Sequence, residues 1–146
     1  MCIRDRTLYF DTSALIKLVI AEEGSELASE LWETIHAALT SILAYPEGLA
    51  ALAAARRGGR LTERQHARAL ADFEDLLPDL ALVGVDEPLA RRAGGLAEEL
   101  GLRGYDAVHL ATALTLGEDA VVLATWDGDL AEAAIELGLP VAGATG

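Results

Sequence analysis

At 146 residues the chain is long enough to bury one hydrophobic core without disulfide or metal staples. Its 52% hydrophobic content excludes an intrinsically disordered chain, and a single cysteine, Cys2, excludes an internal disulfide framework and suits a cytoplasmic address. A formal net charge of −13 argues against a partner gripped by bulk positive charge, because phosphate contacts are made by Lys and Arg.

Residues 1–6 share no pattern with the rest of the chain and read as a disordered or non-native extension. Arg4, Asp5, Arg6 and Asp11 interrupt any signal-peptide core, and no run approaches the roughly 18 apolar residues of a membrane span. From Thr7 the pattern is that of a single domain over residues 7–142. Leu8, Tyr9 and Phe10 form an apolar run suited to a strand buried on both faces, and Asp11, Thr12 and Ser13 are helix-capping residues ahead of a helix over 14–21. This delivers a carboxylate to the carboxyl end of a strand, where ligands bind in open α/β sheets.

A helix is expected over 25–36, with Leu27, Leu31, Trp32 and Ile35 on its apolar face, then a short strand over 37–40. Ser41 reads as the N-cap of a helix running to Ala55, which carries Glu47 and should bend at Pro46. Gly58 and Gly59 close that helix, and Thr62 with Gln65 opens the next in capping-box register, giving a hairpin that ends at Pro78. Residues 80–85 read as a buried strand, and Asp86 caps a helix to about Leu100. Asp106 opens a helix in which Ala107, Leu110, Ala111 and Leu114 keep helical spacing. Residues 120–125 are the clearest buried parallel strand, and Trp126-Asp127-Gly128-Asp129 stands at its carboxyl end. A helix over 130–137 and an edge strand over 139–142, where Pro140 is tolerated, complete the chain. Strands alternating with helices predict a three-layer α/β/α sandwich around a mainly parallel sheet.

Charge is unevenly spread. Arg56, Arg57, Arg60, Arg64 and Arg68 crowd one segment, opposed within it by Glu63 alone, and read either as an anion-binding strip or as a solvated face. The acids Asp11, Glu47, Asp106 and Asp127 can all be placed around one edge of the sheet. Two unit charges about 4 Å apart repel by roughly 4 kcal/mol at an effective dielectric near 20. Such a cluster therefore calls for protonation or a cation. All-oxygen donors suit Mg²⁺, with Mn²⁺ as a substitute, rather than zinc, for which the chain offers no Cys or His pair. An ion so held can polarise a phosphodiester and activate water.

Four motifs then stand in order: Phe-Asp-Thr-Ser-Ala-Leu-Ile-Lys around Asp11, Glu47 after Thr40-Ser41 and Pro46, Arg-Gly-Tyr-Asp-Ala-Val-His-Leu-Ala-Thr-Ala around Asp106, and Thr-Trp-Asp-Gly-Asp-Leu around Asp127. Together they resemble the PIN-domain ribonucleases, most closely the VapC-type toxins of toxin-antitoxin pairs, over about residues 7–141. The resemblance implies a Mg²⁺-dependent endoribonuclease, dimeric, and restrained by a small antitoxin. It implies Asp11, Glu47, Asp106 and Asp127 as metal ligands, with Thr12, Ser13 and Thr125 supporting them by hydrogen bonds. Asp129 departs from the pattern as an added carboxylate that could share or replace the role of Asp127.

Other conspicuous residues have plainer readings. His109, one turn after Asp106, reads as a packed or hydrogen-bonded histidine before it reads as a base. His36 and His66 have no partner in the pattern. Trp32, Phe73 and Trp126 suit the core better than a base-stacking platform, so RNA would be held by metal and by Arg56, Arg57, Arg60 and Arg64. The competing functional readings are a non-catalytic partner-binding module of the same fold, and another acid-pocket phosphoryl-transfer protein. Of the latter, a haloacid-dehalogenase-like phosphatase wants an acid where Ser13 stands, and a response-regulator receiver wants a paired acid before Asp11.

Overall fold

The computed structural model describes residues 7–34, 37–117 and 121–143. Residues 1–6, Ile35, His36 and Ala120, each part of a sequence-based expectation, lie outside the described residues. The described chain runs β1 (Thr7–Phe10), α1 (Thr12–Val19), α2 (Ser25–Thr34), β2 (Ala37–Ser41), α3 (Ala44–Arg57), α4 (Glu63–Leu76), a 3₁₀ turn (Leu77–Asp79), β3 (Leu80–Val83), α5 (Glu87–Leu100), α6 (Gly104–Thr115), β4 (Val121–Thr125), α7 (Gly128–Glu136) and β5 (Val141–Gly143).

The five strands form one sheet in the order β3-β2-β1-β4-β5, and every pairing is parallel. Alternate side chains of β1 serve opposite layers, as the two-residue period of a strand requires. Tyr9 packs with Leu39, Leu110 and Leu123 on the side covered by α5, α6 and α7, whereas Leu8 and Phe10 pack with Leu15, Leu52 and Phe73 on the side of α1 to α4. This is the expected three-layer α/β/α sandwich. The chain builds outward from β1 to β2 and β3, then returns to β1's other flank with β4. The strand order therefore reverses between β1 and β4, the point at which a parallel sheet opens a crevice beyond its carboxyl ends.

Several local expectations change for identifiable reasons. In α2 the buried pair is Ala28 and Leu31, while Leu27 is exposed, so the inward face is turned one residue from the position the larger side chains suggested. Ser41 ends β2 rather than capping α3; its hydroxyl accepts from Leu43 N–H in the turn between them. Because α3 begins at Ala44, Pro46 falls in its first turn, where the backbone donor it lacks has no partner within the helix, and no bend follows from it. The α3–α4 hairpin closes on Gly48, whose missing side chain admits the Phe73 ring: a Cβ there would lie 2.3 Å from Phe73 Cζ. Thr62 and Gln65 form both halves of the capping box. β3 is an edge strand whose Ala81 and Leu82 are exposed, so its apolar run does not mark burial on both faces. Among the described residues, no helix is long and apolar enough to cross a membrane.

Candidate active site

Asp11 leaves the end of β1 and serves as N-cap of α1, with its Oδ1 accepting from Ala14 N–H at 2.9 Å. The same carboxylate is held from β4's end. Ser13 Oγ donates to Oδ1 at 2.7 Å and Thr125 Oγ1 donates to Oδ2, while the two hydroxyls in turn accept from Trp126 N–H and Asp127 N–H. Of the three expected supporting hydroxyls, Ser13 and Thr125 are bonded to Asp11 and Thr12 to Glu47. Asp11 is 3% exposed, and this burial raises its pKa against the lowering effects of nearby His109 and the hydrogen bonds it accepts.

Glu47 enters from the first turn of α3. Its Oε1 accepts from Thr12 Oγ1 at 2.8 Å and lies 2.7 Å from His109 Nε2. Partial burial would raise the Glu47 pKa, but the His109 hydrogen bond and charge, with the Thr12 hydroxyl, outweigh it and the pKa is lowered. His109 is buried, and its Nδ1 meets the Tyr9 hydroxyl at 2.7 Å. Burial, reinforced by Asp11, pushes the Tyr9 pKa far up, so the phenol keeps its proton; it shares a hydrogen bond with Nδ1, while Nε2–H donates to the Glu47 carboxylate. His109 is accordingly the hydrogen-bonded residue of the plainer reading, yet its partner is a site carboxylate.

Asp106, in the first turn of α6, and Asp127, the N-cap of α7, are bridged by one guanidinium. Arg103 Nε donates to Asp106 Oδ2 at 2.9 Å and its Nη2 donates to Asp127 Oδ2 at 2.8 Å. Asp127 Oδ1 accepts from Leu130 N–H as the helix cap. The Asp106 pKa is raised, first by burial and further by Asp127, despite the lowering influence of Arg103.

The four carboxylates come from four elements and line a single open cleft of about 590 Å³, beyond the carboxyl ends of β1 and β4. Trp126 is partly buried and packs against the core on the α1–α4 side, as its sequence-based placement has it, and it also borders the cleft. Its ring lies 5.9 Å from Lys17 Nζ and close against Gly24, where a Cβ would stand 2.5 Å from the indole nitrogen. Gly24 also has φ +93°, a second reason for glycine there. Asp129 does not reach the cleft. It is exposed and lines a separate depression with Leu100, Glu132 and Glu136, because two residues along a helix point to different sides. Nor do Arg56, Arg57, Arg60 and Arg64 border it. All four are exposed, and Arg56 lies nine residues beyond Glu47, ~13 Å along α3 at 1.5 Å per residue. The basic side chains lining the cleft are Lys17, Arg103 and His109. Arg103 was legible only as a base three residues ahead of Asp106.

The donor set fits a hard divalent cation: Glu47 Oε2 and Asp106 Oδ1 accept no hydrogen bond from the described residues, and no soft ligand lines the cleft. As the side chains stand, however, no three acids or histidines among the described residues are grouped closely enough to hold one ion. The pairings of Glu47 with His109 and of Asp106 and Asp127 with Arg103 occupy them.

A family model described as the PIN domain matches residues 8–136 of the chain. A protein named Ribonuclease VapC45, from Mycobacterium tuberculosis (strain CDC 1551 / Oshkosh), is 48% identical over 135 residues, covering 92% of this chain and 94% of that protein. Among solved structures, PAE2754 from Pyrobaculum aerophilum superposes with a TM-score of 0.71 at 22% identity, over 94% of this chain and 84% of its own. A chain of a toxin-antitoxin complex from Klebsiella pneumoniae gives a TM-score of 0.58 at 23% identity, over 85% and 90% respectively.

Proposed function

This chain belongs to the PIN-domain family, and from that membership we propose that it is a metal-dependent endoribonuclease, the toxin of a toxin-antitoxin pair. The observation that carries the reading is the convergence of Asp11, Glu47, Asp106 and Asp127, from four separate elements, on one cleft at the sheet's switch point. A purely structural use of these acids would not require them to meet. The name of the VapC45 relative supports RNA as the substrate, and the Klebsiella complex supports a small antitoxin as a partner. A homodimer and a cytoplasmic location belong to the same reading, with residues 7–142 as the single catalytic domain.

Asp11, Glu47, Asp106 and Asp127 would hold Mg²⁺ or Mn²⁺. When bound, the ion would supply charge neutralisation, Lewis-acid polarisation of a phosphate oxygen and activation of water. The remaining work falls to the protein. Ser13, Thr125 and Ala14 N–H fix both oxygens of Asp11, so this acid needs no reorganisation to act. Thr12 and His109 hold one oxygen of Glu47 and leave the other free. Trp126 and Tyr105 give the cleft aromatic borders beside these acids. Arg56, Arg57, Arg60 and Arg64, remote from the cleft, serve long RNA or the antitoxin in this reading.

Cleavage of a single-stranded RNA with Mg²⁺ or Mn²⁺ tests the assignment. Activity should disappear in excess EDTA and in Glu47→Gln and Asp106→Asn. Undiminished cleavage in EDTA, or by either variant, would overturn it.

A further inference from the structure

Arg103 occupies the N-cap position of α6 with extended backbone and makes no side-chain cap. Its side chain is 60% exposed, whereas those of Asp106 and Asp127, which it joins, are 9% and 21% exposed. The cation thus lies across the mouth of the cleft with the acids beneath it. It differs from the other two basic side chains there: Lys17 is tied to Glu22 at 3.0 Å, and His109 is buried against Glu47 and Tyr9. Arg103 also stands 4.9 Å from the Tyr105 ring, which gives the guanidinium a second resting surface at the rim.

Asp127 makes the bridge informative. Its Oδ1 caps α7 and its Oδ2 takes Arg103, so a divalent ion approaching this acid meets a helix-capping bond on one side and, on the other, a guanidinium whose positive charge repels it. The cap is part of the fold, while an exposed ion pair holds its partners weakly. Arg103 is therefore the bond that yields. Once released it remains tethered at the cleft mouth, and its planar set of donors matches a phosphate as well as it matches a carboxylate.

Resting on the metal-ribonuclease reading above, we propose that Arg103 is an exchangeable counter-cation: it joins Asp106 and Asp127 until a divalent ion takes them, and its freed guanidinium then binds a phosphate oxygen of the RNA. No bond is made or broken covalently in this exchange; a guanidinium swaps carboxylate partners for phosphate.

The experiment compares wild type, Arg103→Gln and Arg103→Lys by calorimetric titration with Mn²⁺ alone, and by RNA cleavage at saturating Mn²⁺. Removing the competitor should make Arg103→Gln bind Mn²⁺ about threefold more tightly, since an ion otherwise finds only the released fraction of sites. Without the guanidinium to hold a phosphate, KM for a short RNA should rise about tenfold with a smaller change in kcat. Arg103→Lys, which keeps a charge but offers one nitrogen where the guanidinium engages two, should bind Mn²⁺ more tightly than wild type and recover part of the KM. It also carries the test should the glutamine variant fail to fold. Mn²⁺ affinity that is unchanged or weaker in the variants, or an unchanged KM, overturns the role of Arg103 while leaving the nuclease reading intact. Wild-type protein that neither binds Mn²⁺ nor cleaves RNA in its presence overturns both.

Discussion

His109 connects the middle of the sheet to the site: its Nδ1 is 2.7 Å from the Tyr9 hydroxyl on β1, and its Nε2 is 2.7 Å from Glu47 Oε1 on α3. Both residues at the inner end, Tyr9 and His109, are almost wholly buried. Tyr9→Phe removes the hydroxyl that meets Nδ1 without changing the ring's shape, and should destabilise the protein by ~1–2 kcal/mol, because a buried ring nitrogen loses its hydrogen-bond partner. His109→Ala should cost more, by opening a cavity and leaving Glu47 to Thr12 alone, and should lower kcat more than Tyr9→Phe does. Urea unfolding and single-turnover cleavage would measure both. A Tyr9→Phe protein as stable as wild type would show that the phenol does not orient the imidazole.

Burial sets the sign of a pH effect at Asp11. The pKa is raised in the fold, so ionising Asp11 is harder there than in the unfolded chain. The cost is complete above the folded pKa and vanishes as pH falls from that value to the unfolded value near ~3.9. Asparagine caps helices about as well as aspartate and carries no charge. Asp11→Asn should therefore abolish cleavage yet be more stable than wild type at neutral pH in EDTA, with the advantage shrinking as pH falls toward the ordinary aspartate range. Urea melts of both proteins at two pH values decide it; a deficit in the variant that is the same at both would mean that the Asp11 charge carries no penalty.

Exposed arginines away from the cleft should act on binding and leave the chemistry alone. Changing Arg56, Arg60 and Arg64 to Gln should not alter kcat on a short RNA. It should weaken binding of a long RNA and flatten its dependence on salt, by ~0.7 in log–log slope for each phosphate of a single strand that is no longer neutralised. If salt dependence and antitoxin affinity are both unchanged, the strip is a solvated face.

Much of the framework was legible because each signal is local. The apolar run of β1, the Asp11, Thr62 and Asp86 caps and the fully buried β4 are set by neighbouring residues. What escaped depends on encounters between distant segments. The Arg103 to Asp127 bond spans 24 positions and exists because α6 and α7 start side by side at the cleft. The His109 to Glu47 bond spans 62. The rotation of α2 that buries Ala28 in place of Leu27, and the exposure of Leu82 on an edge strand, are decided by what lies opposite, which no window of sequence contains. Asp129 was misplaced by proximity to Asp127, since adjacency in the chain is not adjacency on a helix.

The capping bonds of Asp11 and Asp127 change how relatives of this chain can be compared. Each of these two acids starts a helix as well as facing the cleft, so a descendant that no longer cut RNA would still need a capping side chain at both positions, aspartate or its uncharged equivalent asparagine. Glu47 and Asp106 start no helix, and among the described residues neither side chain accepts a backbone N–H. A capping residue at positions 11 and 127 is thus a record of architecture. Positions 47 and 106 are the ones free to drift once catalysis is abandoned, and they distinguish a living nuclease from its inert copy.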